Sequence, residues 1–145
     1  MTLAEAVRDE ELRGRIIDDC CKLVDDEVAG KKGLSGAVIK TGYKAVKGIK
    51  PGFTRKVVNV LFDDWVAALE PIWTEAQQQG IAPEQHFEAE RSRVAEALLS
   101  VTDAKSESAE KALVRNTYKK LRPNAKRHVE DAVPGLAALL HKHTG

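Results

Sequence analysis

Two adjacent cysteines, four histidines, and the carboxylates and lysines are the residues of this sequence with chemistry to offer. Cys20 and Cys21 have neither a CxxC spacing nor a second cysteine pair, which excludes a disulfide framework and a cysteine-rich zinc site. A reactive thiolate needs a basic neighbour, whereas Asp18, Asp19, Asp25 and Asp26 flank these two. Neighbours on a helix point about 100° apart, and both cysteines read as packing residues. His86 and Glu90 are spaced i, i+4, which suits a single metal ion, but no ExxH pair and no other recognised ligand spacing accompanies them. His128 has no evident partner, and His141 and His143 sit where cations complement a helix C-terminus. No metal site and no cofactor is expected. Asp63, Asp64 and Glu70 edge the most apolar segment, yet nothing pairs a nucleophile or base with an orienting group, so a non-enzymatic role is preferred over an enzyme.

The lysines form the most distinctive pattern. Residues 31–62 carry eight basic side chains and no acid. Within them Lys40, Lys44 and Lys47 fall at i, i+4 and i+7, one stripe of a helix. A second stripe runs Lys111, Arg115, Lys119, Arg122 and Lys126, with Lys120 and Arg127 beside it. If the two segments are neighbours, their shared face suits an anionic partner, whether protein, lipid headgroup or nucleic acid. No helix-turn-helix, zinc-finger or RNA-binding signature narrows that choice. Tyr43 and Tyr118 lie in these segments and fit base stacking or core packing equally. Two blander readings compete: a solvated lysine face, or docking of the basic segments against the acidic ones, which would set helix order and nothing else.

Two further candidates come from glycine and tryptophan. The loop GKKGLSG, residues 30–36, precedes a helix as a phosphate-binding turn does, but it lacks the GxxxxGK[ST] spacing and a preceding strand, and it serves equally as a tight helix–helix turn. Gly42 stands mid-helix at a cost of roughly 1 kcal/mol relative to Ala, which a close approach of a second backbone or a ligand would explain. Gly42, Trp65 and Trp73 together suit an alternative function, an apolar cavity in the bundle for a small lipid-like ligand.

Only the helical period recurs among the elements that must position these residues. Thr2 and Glu5 have capping-box spacing for a helix beginning at Leu3. Leu12, Ile16, Cys20, Leu23 or Val24, and Val28 form the inward stripe of the next, which ends at Gly30, with Lys22 within reach of Asp18 and Asp26. Ser35 reads as the N-cap of a helix over about 35–49, with Val38, Gly42, Ala45, Val46 and Ile49 opposite the lysines, and Lys50-Pro51-Gly52 stops it. Residues 54–79 are apolar around most of the helix girth and belong at a bundle centre, with Pro71 expected to kink the helix or begin a second piece. Pro83 opens a helix with Phe87, Val94, Leu98 and Val101 inward, followed by a polar loop, TDAKSES. Helices over about 109–121 and 123–142 complete the chain, the last interrupted at Pro134-Gly135. The expectation is an all-α single domain over residues 1–145, a bundle of five to six helices around a central apolar helix at about 54–79.

Composition agrees. The chain has 145 residues, 43% of them hydrophobic, a formal charge of +1, and no apolar run long enough to span a membrane. The start MTLAEAVRDEE has no signal-peptide core, so a cytoplasmic setting is expected, and self-association stays open. Neutrality is a cancellation of blocks: residues 1–30 carry −5, 31–62 carry +8, 63–90 carry −7 and 91–145 carry +5.

Residues Ser35, Gly36, Ile39, Lys40, Gly42, Tyr43, Val46, Lys47, Pro51 and Gly52 spell SG-x-x-IK-x-GY-x-x-VK-x-x-x-PG, followed by the long apolar segment. In this the chain resembles a family of small uncharacterised actinobacterial proteins, over roughly residues 10–80. The resemblance implies a helical protein in a bacterial cytoplasm, points to Lys40–Gly52, and carries no activity, cofactor or site residue with it.

Overall fold

The computed structural model describes residues 2–144, which form seven α-helices and, among the described residues, no strand. They are α1 (Leu3–Ala6), α2 (Glu10–Ala29), α3 (Gly33–Lys47), α4 (Phe53–Gln79), α5 (Pro83–Ala89), α6 (Arg91–Glu107) and α7 (Ala112–Thr144). The Thr2 hydroxyl accepts from the Glu5 amide as the capping spacing requires, and the Asp9 carboxylate does the same for Leu12 at the start of α2. Left-handed Gly52 and Gly80, at φ 75° and 68°, bracket α4, a conformation that costs glycine nothing.

The element count departs from the five to six expected, for local reasons. The span after Pro83 is two helices, because Glu90 leaves helical geometry at φ −106° and ψ 25°. TDAKSES is helical up to Glu107: the hydroxyls of Thr102 and Ser106 donate to the carbonyls of Leu99 and Asp103, and polar side chains that satisfy themselves this way tolerate a helix. Pro71 neither stops nor divides α4, and α7 runs through both Pro123 and Pro134. All three prolines face solvent, so each lost backbone bond lies on the wet side while the opposite face keeps its packing. α3 begins two residues before Ser35, whose hydroxyl instead accepts from Arg127 of α7 at 3.0 Å, and it ends at Lys47, short of Ile49.

The core is built by Ile16 and Ile17 of α2, Phe62, Val66, Ile72 and Trp73 of α4, Phe87 of α5, Val94 of α6 and Val133 and Leu140 of α7, with Leu3 and Val7 closing one end. Trp73 meets Phe87 edge to face at 6.0 Å between centroids. α4 packs against α1, α2, α3, α5 and α6, while α7 packs against α2, α3, α5 and α6. Two long helices therefore share the interior in place of the single central one expected, because α7 is continuous where two shorter helices were anticipated. α1 is held by Glu70 of α4, whose carboxylate accepts from the Leu3 and Ala4 amides at 2.9 and 3.0 Å.

Candidate functional site

α2, α3, α4, α6 and α7 enclose a cavity of about 320 Å³ that opens to solvent. Its wall takes Cys20, Leu23 and Val24 from α2, Ile39 from α3, Trp65 from α4, Leu98 and Leu99 from α6, and Leu121, Val129 and Leu136 from α7. Among the α7 residues that line it, Ala125 and Ala132 are too short to fill the space between the helices. Nearby, Gly135 brings α7 so close to α2 that a Cβ there would lie 2.6 Å from Leu23 Cδ1. Tight contact at Gly135 and small side chains at the alanines leave a gap that neighbouring side chains do not fill. The Trp65 indole is fixed in the wall by its N–H, which donates to the Leu98 carbonyl at 3.2 Å.

Few polar residues line this cavity. Lys31 is satisfied by Asp131 at 3.2 Å and by Glu27 at 3.5 Å. Thr102 shares a 2.7 Å hydrogen bond with the Tyr118 hydroxyl. His128 is the exception: both ring nitrogens are buried without a hydrogen-bond partner. Burial, then the positive charges of Lys31 and Arg127, hold its basicity below the ordinary histidine value. Two unused imidazole nitrogens are hydrogen-bonding capacity that the fold itself leaves spare. Burial also pushes the Cys20 thiol up to about 12, so this cysteine is a wall residue rather than a nucleophile.

Of the three residues anticipated to line an apolar cavity, only Trp65 does so. Trp73 is in the core against Phe87. Gly42 is where α3 and α7 approach, its hypothetical Cβ 3.0 Å from Thr117 Cγ2, so the glycine serves helix packing. His128 was legible in the sequence only as a histidine without a partner, and Ala125 and Ala132, seven residues apart on one face of α7, are the signal that marks the gap.

The basic segments are neighbours: α3 packs on α7, with Ser35 beside Arg127 and Gly42 beside Thr117 and Leu121. Part of their charge meets acids. Lys47 pairs with Asp25 at 3.3 Å, Arg55 with Asp18 at 2.8 Å, Arg122 with Asp103 at 2.8 Å and Lys126 with Glu96 at 3.0 Å. Arg115 donates to the carbonyls of Ala109 and Glu110 and stays within its own turn. Lys40, Lys44, Lys111 and Lys119 are exposed and make no ion pair among the described residues. Every lysine without an ion pair among those residues falls within 32–56 or 111–120. Lys56, and after it Lys111, lie close enough to Lys50 to depress its basicity.

The remaining candidates hold helices together. Asp63 pairs with Arg13, Asp64 with Lys105 at 3.7 Å, and Glu70 caps α1. Lys22 reaches Asp26 at 2.6 Å, while Asp18 is taken by Arg55. His141 and His143 tie the end of α7 to Glu84 and Asp19 at 2.7 and 2.6 Å. Glu75 joins His86 and Glu90, their candidate ligand atoms all within 4.8 Å of one another. Arg93, at 2.6 Å, and His86, at 3.0 Å, hold the Glu75 carboxyl down at about 2. With a guanidinium already on its principal carboxylate, this cluster is a charge network joining α4, α5 and α6. At the GKKGLSG turn a Cβ on Gly36 would lie 2.8 Å from the Lys31 backbone, so that glycine is needed for the turn itself.

The sequence matches, over residues 3–144, the family described as Family of unknown function (DUF6918). The chain belongs to this family. The match takes in all seven helices, well beyond residues 10–80 where the recurring SG…PG segment lies. No curated protein and no solved structure matches the chain. No helix among the described residues is long and apolar enough to cross a membrane.

Proposed function

We propose that the protein binds a small, predominantly apolar molecule in the cavity between α2, α3, α4, α6 and α7. The observation that carries this reading is the cavity itself: about 320 Å³, open to solvent and walled almost entirely by aliphatic side chains and Trp65. That volume is at the lower end of ligand sites and suits a molecule of on the order of ten non-hydrogen atoms. Among the residues lining the cavity, His128 is the one whose buried side-chain nitrogens the fold leaves without a hydrogen-bond partner. The protein acts here as a carrier or sensor of its ligand, not as a catalyst, since no reactive group faces the cavity in an activated state.

The two tryptophans provide the test. Medium-chain alcohols and fatty acids titrated into the protein should quench or shift its fluorescence saturably. The signal should vanish in Trp65→Phe, whose indole lies in the wall, and persist in Trp73→Phe. Ala132→Phe, which fills the gap from α7, should weaken binding at least tenfold while the circular dichroism stays helical. Absence of saturable binding, or binding indifferent to Ala132→Phe, would remove the reading.

A second reading is favoured by a separate observation, the concentration on residues 32–56 and 111–120 of lysines that make no ion pair among the described residues. In it the face carrying Lys40, Lys44, Lys111 and Lys119 meets an anionic partner, and the two readings are compatible in one molecule.

A further inference from the structure

We propose that α3 is a docking surface for an anionic lipid bilayer, with Leu34 and Val38 entering the headgroup region while the neighbouring lysines face lipid phosphates. The proposal rests on the anionic-partner reading and goes beyond it by committing to one partner. It starts from the side of α3 that the bundle leaves uncovered. Leu34, Val38, Thr41 and Ala45 follow one another at i, i+4, i+7 and i+11, and all four are exposed. Leu34 is 90% exposed and Val38 46%. This reverses the expected orientation, in which Val38 and Ala45 pointed inward; the helix instead buries Gly36 and turns Ile39 toward the cavity.

Two exposed aliphatic side chains beside lysines have a limited set of partners. Residues 31–62 contain no acid, and although Asp25 and Asp18 of α2 reach Lys47 and Arg55, Lys40 and Lys44 make no ion pair among the described residues. A second copy docking by two-fold symmetry would bring Lys40 and Lys44 toward their own equivalents, an arrangement that like charge opposes. Nucleic acid would use the lysines but leave Leu34 and Val38 without a role. An anionic membrane uses both: the headgroup boundary accepts apolar side chains and its surface potential attracts each lysine. Neither Trp nor Phe lies within α3, so the contact is a reversible one that depends on charge. Ile39, on the opposite side of the same helix, lines the cavity, which places the ligand site behind the docking surface.

Sedimentation of the full chain with vesicles tests this, using phosphatidylcholine alone and equal parts phosphatidylcholine and phosphatidylglycerol, at low and high salt. Binding is expected on the mixed vesicles only and is weakened by salt. Lys40→Gln together with Lys44→Gln should lower the partition coefficient about thirtyfold. Leu34→Ser should lower it severalfold and leave any binding to duplex DNA or RNA unchanged. These side chains are exposed, so circular dichroism and the thermal midpoint should match the wild type. Binding to neither vesicles nor nucleic acid would overturn the bilayer proposal and remove the lipid and nucleic-acid versions of the anionic-partner reading, leaving only a protein partner. Binding to nucleic acid alone would spare that reading and overturn the bilayer. Self-association abolished by Leu34→Ser, without vesicle binding, would overturn the bilayer in favour of a second copy.

Discussion

The His128 imidazole sits in an apolar wall with both nitrogens unpartnered, and leaving a buried polar group unsatisfied costs about 1–3 kcal/mol. Such a group should make itself felt in the pH dependence of stability. Burial, Lys31 and Arg127 lower its folded-state basicity, with Asp131 acting weakly the other way, while the unfolded chain keeps the ordinary value of 6.5. Between the two values the unfolded chain binds a proton that the folded chain does not, so stability falls as pH drops below 6.5. In His128→Phe this part of the slope should disappear, and the variant should be the more stable protein on the acid side. Urea midpoints measured on either side of that pH check it, and an unchanged slope in the variant would count against a buried neutral imidazole. The Glu75 carboxyl, held at about 2, acts in a separate and lower window. Its stabilisation is present above the ordinary carboxylate range and is lost as pH falls toward 2, which keeps the two effects apart.

At the scale of elements, prolines and caps divide what was legible from what was not. The Thr2–Glu5 spacing, Gly30 and the glycines around α4 mark helix ends through local geometry, and the structure follows them. Pro71, Pro123 and Pro134 did not break their helices, because the outcome depends on which way each ring faces, and that is settled by packing. Glu90 breaks a stretch that reads as continuous, and no glycine or proline marks the break, although α5 before it packs on α7. Replacing solvent-facing Pro71 by Ala should restore a backbone hydrogen bond within α4 and raise stability by about 1–3 kcal/mol. Equilibrium urea unfolding measures this. A loss of stability would mean that α4 depends on a bend at Pro71. α3 follows the same logic: its period was visible, but which face turns inward was decided by Gly42 against α7 and Gly36 against Lys31.

For the whole molecule, charge and void behave differently as messages in a sequence. Alternating charge blocks are visible in the chain, and the structure uses part of them as ties: Arg55 to Asp18, Arg122 to Asp103 and Lys126 to Glu96. The lysines that make no ion pair among the described residues gather on residues 32–56 and 111–120, a grouping no block sum displays. A cavity leaves almost no trace, since it is the shortfall of side-chain volume summed over five helices. Trp65 was identifiable as an aromatic on the right helix, whereas Leu98, Val129 and Ala132 became wall residues only through packing. In the proposed function this shortfall is a binding site. The most direct measurement is a crystal structure determined under xenon pressure, because a preformed apolar site takes up the gas without any assumption about the natural ligand. Xenon density bounded by Cys20, Trp65, Leu98 and Val129 is the predicted result. A space closed by the side chains around Trp65, with no xenon between α2, α4, α6 and α7, would contradict it.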